Sequence, residues 1–79
     1  MIVYIGPTLK GIVRKNQIFT YEPTHIMDKA VGKFPYTKYL FINMSQIVEA
    51  RDKLRTPGSL ENTCYKKTIK QIIKEDNNG

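Results

Sequence analysis

The stretch "YIGPTLKG", Tyr4 to Gly11, puts a Gly-Pro step and a second glycine straight after the most apolar run of the chain. Met1 to Ile5 is β-branched and aromatic, so it reads as a strand that can be buried on both faces. Gly6-Pro7 stops that strand, because proline has no amide hydrogen for a sheet ladder. Two readings of the stretch compete: a phosphate-cradling loop and a bend between strands. Gly6 and Gly11 have the glycine spacing of a phosphate loop, but Ile12 and Val13 stand where that loop needs lysine and serine or threonine. A phosphate loop also leads into a helix, whereas the residues after Gly11 read as a strand. The bend is the better reading.

Outward from the bend, "GIVRKNQIFTY" (Gly11 to Tyr21) places two β-rich runs around Arg14-Lys15-Asn16-Gln17, a hairpin signal. A two-residue turn at Lys15-Asn16 pairs Val13 with Ile18 and Ile12 with Phe19. A three-residue loop with Asn16 left-handed shifts that register by one. In "EPTHIMDKAVGKFPY", Thr24 is placed to N-cap a short helix with Ile26, Met27, Ala30 and Val31 on one stripe. Gly32 ends it, and Phe34-Pro35-Tyr36 forms a rigid connector. Tyr39 to Ile42 reads as another strand.

"NMSQIVEARDKLRTPG" is the clearest helix. Asn43 or Ser45 can cap it, and with Asn43 as the cap Gln46 completes a capping box. Met44, Ile47, Val48 and Leu54 recur at helical spacing, and Pro57-Gly58 closes the segment. Ser59 caps a last helix whose inner stripe is Leu60, Cys64, Tyr65, Ile69, Ile72 and Ile73. The order predicts an α+β fold: a small, mainly antiparallel sheet of three to four strands with an N-terminal hairpin, packed against two C-terminal amphipathic helices. Residues 1–74 form a single domain, and residues 75–79 form a frayed polar tail.

Composition bounds the function. A chain of 79 residues buries only about 60% of its unfolded surface, so a partner surface adds stability. No apolar run approaches the ~20 residues that span a bilayer, and the N-terminus lacks the basic-then-apolar order of a signal peptide. With one cysteine, Cys64, no internal disulfide can form, which predicts a cytoplasmic setting. His25 has no second histidine to make a metal pair, and the acidic residues form no obvious acid–base pair. A nucleophilic Cys64–His25 pair is formally possible, but Cys64 falls on an apolar stripe and reads as a structural thiol. The sequence therefore predicts no enzyme, no cofactor and no metal.

Thirteen lysines and arginines against seven acids give a net charge of +6. In "CYKKTIKQIIKED", Lys66, Lys70 and Lys74 follow i, i+4, i+8 with Lys67 adjacent, so they make one basic ridge opposite the isoleucines. This is the candidate surface for a partner or a polyanion. Its bland reading is the solvated face of an amphipathic helix. No arginine–aromatic interleaving or RNP motif points to base readout. Of the tyrosines Tyr4, Tyr21, Tyr36, Tyr39 and Tyr65, most are placed as half-buried rings with wet hydroxyls, a side chain favoured at protein interfaces.

The opening "YIGPTLKGIVRKNQIF" resembles the start of short proteins from phage and prophage structural (head–tail) gene clusters. Those proteins open on a Tyr-Ile-Gly-Pro-Thr segment and a valine-rich hairpin. A short helix, an apolar strand and two closing helices follow. Tyr4 to Thr8, Gly11 to Phe19, Tyr39 to Leu54 and Pro57 to Lys67 match in the same order, which covers most of the chain. The family's turn has Asn-Gly where Asn16-Gln17 stand here, and its later strand favours Val-Pro where Ile42-Asn43 stand. The resemblance implies a place in virion head or tail assembly, in the host cytoplasm or the virion, with phage structural proteins or further copies of itself as partners. It implies no catalytic residues. The competing class is a small nucleic-acid-binding or regulatory module using the lysine ridge.

Overall fold

The computed structural model describes residues 1–78. Strand β1 (Ile2–Tyr4) is the middle of a three-stranded sheet, with β2 (Ile18–Phe19) on one side and β3 (Phe41–Asn43) on the other. Both pairings are antiparallel: Ile2 faces Phe19 and Asn43, and Val3 faces Ile18 and Ile42. Helices fill the rest: α1 (Thr24–Lys33), a 3-10 helix (Pro35–Tyr39), a second 3-10 turn (Met44–Gln46), α2 (Ile47–Leu54) and α3 (Leu60–Asn78). The fold is α+β, as the order of elements implied.

Val3 through Pro7 form an unbroken buried run. Consecutive strand residues point to opposite faces, so burial of both Val3 and Tyr4 means that β1 is covered on both sides. The Gly-Pro step is a bend of specific construction. Tyr4 is fully buried, its ring folds over Gly6, and its hydroxyl donates to the Pro7 carbonyl at 2.7 Å. Beyond the strand, the Ile5 amide still donates to the Leu40 carbonyl at 2.9 Å. The chain is thereby held against β3 while it turns.

The expected hairpin register is corrected. Ile12 and Val13 do not pair with Ile18 and Phe19. Instead Val13 bridges Leu9 around a tight turn, with Ile12 N–H donating to the Leu9 carbonyl at 2.9 Å and Gly11 at φ +81°. β2 pairs with β1, so the strand pair closes over the whole loop between them. Ile12 and Val13 reach the core by folding back on Leu9, which leaves β2 to pair with the central strand, buried on both faces. The Arg14–Gln17 turn, with Asn16 left-handed at φ +68°, docks on β1: Asn16 N–H donates to the Tyr4 carbonyl at 2.7 Å, and Tyr4 N–H donates to the Gln17 carbonyl at 3.0 Å.

Other boundaries moved for local reasons. Thr24 does not cap α1: the helix starts at Thr24 after Pro23, without a side-chain cap. It also runs through Gly32 to Lys33. The expected Phe34-Pro35-Tyr36 connector begins a 3-10 helix with proline in its first turn, which takes up Tyr39 and moves β3 to Phe41–Asn43. The Asn43 side chain does cap, accepting from the Ser45 amide at 3.1 Å. What it caps is a 3-10 turn, and Gln46 closes that turn in place of a capping box. Three residues per turn there shift the helical phase, so Val48 points outward at 74% exposure while Ala50 is buried.

Pro57-Gly58 closes α2 as expected: Ser59 N–H donates to the Thr56 carbonyl at 3.1 Å, with Gly58 at φ +85°. Ser59 then caps α3, its hydroxyl accepting from the Asn62 amide at 3.0 Å. The inner face of α3 is Cys64, Thr68 and part of Ile72, whereas Leu60 and Ile73 are both 54% exposed, contrary to the expected stripe. α3 packs chiefly on the first 3-10 helix and on α2, and α2 touches β3. Of the tail expected at 75–79, residues 75–78 are helical, Glu75 pairs with Lys33 at 3.4 Å, and residue 79 lies outside the described residues.

Two predictions follow from the bend. A methyl group added at Gly6 would sit 2.5 Å from the Tyr4 hydroxyl oxygen and 2.8 Å from Leu40 Cδ1, both on fully buried residues. Gly6→Ala should therefore destabilise the fold by roughly 1–3 kcal/mol by overpacking. Gly11→Ala, which meets open space but keeps φ positive, should cost roughly 1–2 kcal/mol in denaturant titrations. The second concerns pH. Burial, with the nearby Tyr65 charge adding to it, pushes the Tyr4 phenol well above its ordinary value. Because the folded-state value is raised, the associated stability is fully present below the ordinary phenol value of about 10 and is lost as pH rises above it. Alkaline titration at 295 nm should show one of the five tyrosines ionising only as the chain unfolds, and Tyr4→Phe should abolish that phase.

Candidate functional site: a lysine and tyrosine face

The first 3-10 helix positions the aromatic half of the site. Its three-residue turn stacks positions i and i+3, which brings Tyr36 and Tyr39 to one side while Thr37 faces inward. Thr37 is fully buried, and its hydroxyl donates back to the Phe34 carbonyl at 2.7 Å. Thr68 on α3 is fully buried in the same way and donates to the Cys64 carbonyl at 2.8 Å. Each element thus satisfies its own buried hydroxyl, and the two can pack without an unpaired polar group.

That packing sets Lys67 beside the tyrosines. Its ammonium lies 4.9 Å from the centre of the Tyr36 ring, and Lys38 lies 4.9 Å from the centre of Tyr39. Tyr36 is 37% exposed and Tyr39 40%, so each ring shows one edge to solvent and keeps one face under a cation. Lys66, Lys67, Lys70 and Lys74 are all exposed. Lys66, Lys70 and Lys74 follow one another along α3, with Lys67 at the edge of that row against Tyr36. All four lysines are thus open to solvent, and one of them, Lys67, is already engaged with an aromatic ring. The lysine–tyrosine interleaving is a feature that sequence reading missed. Its signal was Pro35 followed by tyrosines three residues apart, the pattern of a 3-10 helix rather than of a connector.

The remaining candidates have structural surroundings. Cys64 is buried, and that burial pushes its thiol up, opposed in part by Lys67 and Lys38 and reinforced by Glu61. His25 is exposed on α1, and no hydrogen bond joins it to Cys64 among the described residues. In the Gly6–Gly11 loop the Leu9 amide donates to the Val13 carbonyl, and Ile12 and Val13 both donate to the Leu9 carbonyl, so the loop closes as a tight turn. Tyr65 accepts a hydrogen bond from Lys15 Nζ at 3.1 Å, and Tyr21 meets Phe19 edge-on at 6.2 Å. No helix among the described residues is long and apolar enough to cross a membrane, and no group of three metal-capable side chains occurs there.

Compared with protein-family models, with curated proteins and with solved structures, the chain matches none.

The ridge is a surface feature rather than a structural one. Changing Lys66, Lys70 and Lys74 together to glutamine should leave the circular dichroism spectrum and melting temperature little changed. Lys67→Gln, which also loses the contact with Tyr36, should cost about 0.5–1 kcal/mol.

Proposed function

We propose that this chain is a non-enzymatic structural protein of phage or prophage origin that works in virion head or tail assembly by binding other proteins. The observation that supports protein binding most directly is the pair Tyr36 and Tyr39. They stand side by side on a packed 3-10 helix, partly exposed, each held by a neighbouring lysine. Rigid tyrosines of this kind supply large amphipathic contact area at small entropic cost, which is why they recur among the residues that dominate interface energies. The phage assignment is supported by the resemblance of Tyr4 to Thr8 and the segments that follow it in order.

A nucleic-acid-binding role is the second reading, and the same face favours it. Lysines beside exposed aromatic rings can hold a single strand by phosphate contacts and stacking. Against it, these cations are lysines, which attract phosphate without the bidentate geometry that arginine offers to guanine.

The two readings part in a direct test. A photo-crosslinking residue placed at Tyr39 should capture a capsid, portal or tail protein encoded in the same cluster, and Tyr36→Ala with Tyr39→Ala should weaken that complex by at least about tenfold. Titration with duplex DNA and RNA at physiological salt should give only weak binding, near 10⁻⁴–10⁻⁶ M, that fades as salt is added. Submicromolar, sequence-dependent binding lost with the lysine triple variant would establish the second reading instead.

A further inference from the structure

On a different surface, the loop after the bend and the helix α2 enclose an open cleft of about 380 Å³ lined by Ile5, Lys15, Asn16, Arg51, Leu54 and Arg55. Three of the six are cations and none is an acid. They arrive from two elements: Lys15 and Asn16 from the left-handed Arg14–Gln17 turn, Arg51 and Arg55 from one turn of α2 and its cap. Half-buried Leu54 supplies the apolar wall, over a floor at the buried Ile5.

Two of the three cations, Lys15 and Arg51, have no carboxylate partner among the described residues. Among the described residues, Arg51 has no ion pair, and its guanidinium reaches only the Asn16 side-chain oxygen at 3.5 Å. Lys15 donates to the Tyr65 hydroxyl at 3.1 Å and has no carboxylate. Arg55 pairs with Asp52 at 2.6 Å, but both side chains are largely exposed, so the pair is weak and can be exchanged for a better-desolvated carboxylate. The arginines lie one helical turn apart on one side of α2, the spacing at which two guanidinium forks converge on one anionic segment.

We propose that this cleft binds an acidic peptide segment of a protein partner, with carboxylates on Arg51, Arg55 and Lys15 and an apolar side chain against Leu54. Charge complementarity selects the anion, and arginine forks match carboxylates bidentately. The apolar wall at Leu54 selects a peptide over a bare phosphate backbone, because leucine offers no flat ring on which a base can stack. This inference rests on the protein-binding reading for the class of its partner, but it assigns a separate surface from the tyrosine pair.

The probe is a capped hexapeptide alternating aspartate and leucine, titrated into nitrogen-15-labelled full-length protein, with a thymidine hexanucleotide as the second arm. The expected result is saturable shifts confined to Lys15, Asn16, Arg51, Leu54 and Arg55. Arg51→Gln with Arg55→Gln should weaken the affinity by at least about tenfold at unchanged melting temperature. Tyr36→Ala with Tyr39→Ala should leave it unchanged, which separates this cleft from the face tested above. Failure of the peptide to saturate at millimolar concentration would overturn the proposal. So would binding that survives the arginine substitutions, or oligonucleotide binding in the cleft as tight as that of the peptide.

Discussion

The hydrogen bond from the Tyr4 hydroxyl to the Pro7 carbonyl, drawn tight across Gly6, is the constraint on which the other elements depend. It lets the chain leave the sheet through an unbroken buried run with the Tyr4 hydroxyl and the Pro7 carbonyl satisfying each other. The tyrosine supplies the donor, and proline contributes a carbonyl but no amide that would need a partner. Glycine is required between them for lack of room, since any side chain would strike the ring and Leu40. With the bend fixed, the Tyr4 backbone is free to hold Asn16 and Gln17, and Ile5 to hold Leu40. Both edges of the sheet are registered from one strand.

The helical half is organised by two buried threonines. Thr37 and Thr68 each turn a hydroxyl back onto their own element, so the 3-10 helix and α3 meet as effectively apolar surfaces. That contact places the tyrosine pair next to the lysine stripe. Gln71 is the exception, since its side-chain oxygen is the buried side-chain acceptor left without a partner among the described residues. The basic–aromatic face is therefore a by-product of core packing, with positions set by residues that themselves face inward.

The elements legible in the sequence were those with strong local signals. The first strand was carried by its β-branched run, the Gly-Pro bend by chemistry, α2 and α3 by helical spacing, and the turn at Pro57-Gly58 by the residues that such a turn requires. The lysine ridge was legible for the same reason, being a simple period on one helix. What could not be read locally was competition. Ile18 and Phe19 had two candidate partners, and only the burial of β1 on both faces decides for Ile2 and Val3. Val48 and Ile73 obey the helical period yet point outward, because the preceding 3-10 turn resets the phase in one case and α3 rests on a neighbour rather than on the sheet in the other. The cleft at Arg51 was invisible because it is made by residues far apart in the chain.

The central position of β1 has a consequence for how the molecule is assembled. Its two partners follow it at very different distances along the chain: Ile2 meets Phe19 across one loop, but Asn43 only after a further strand, α1 and a 3-10 helix have been passed. Contacts between residues so far apart carry a large loop-closure entropy before any reward, and folding rates fall as such contacts come to dominate. The strand that organises the sheet precedes both of its partners along these residues, and its far edge stays unpaired until β3 joins. Until then that edge presents unpaired backbone groups that a strand of another chain can take, so the pairing with β3 is also what protects β1.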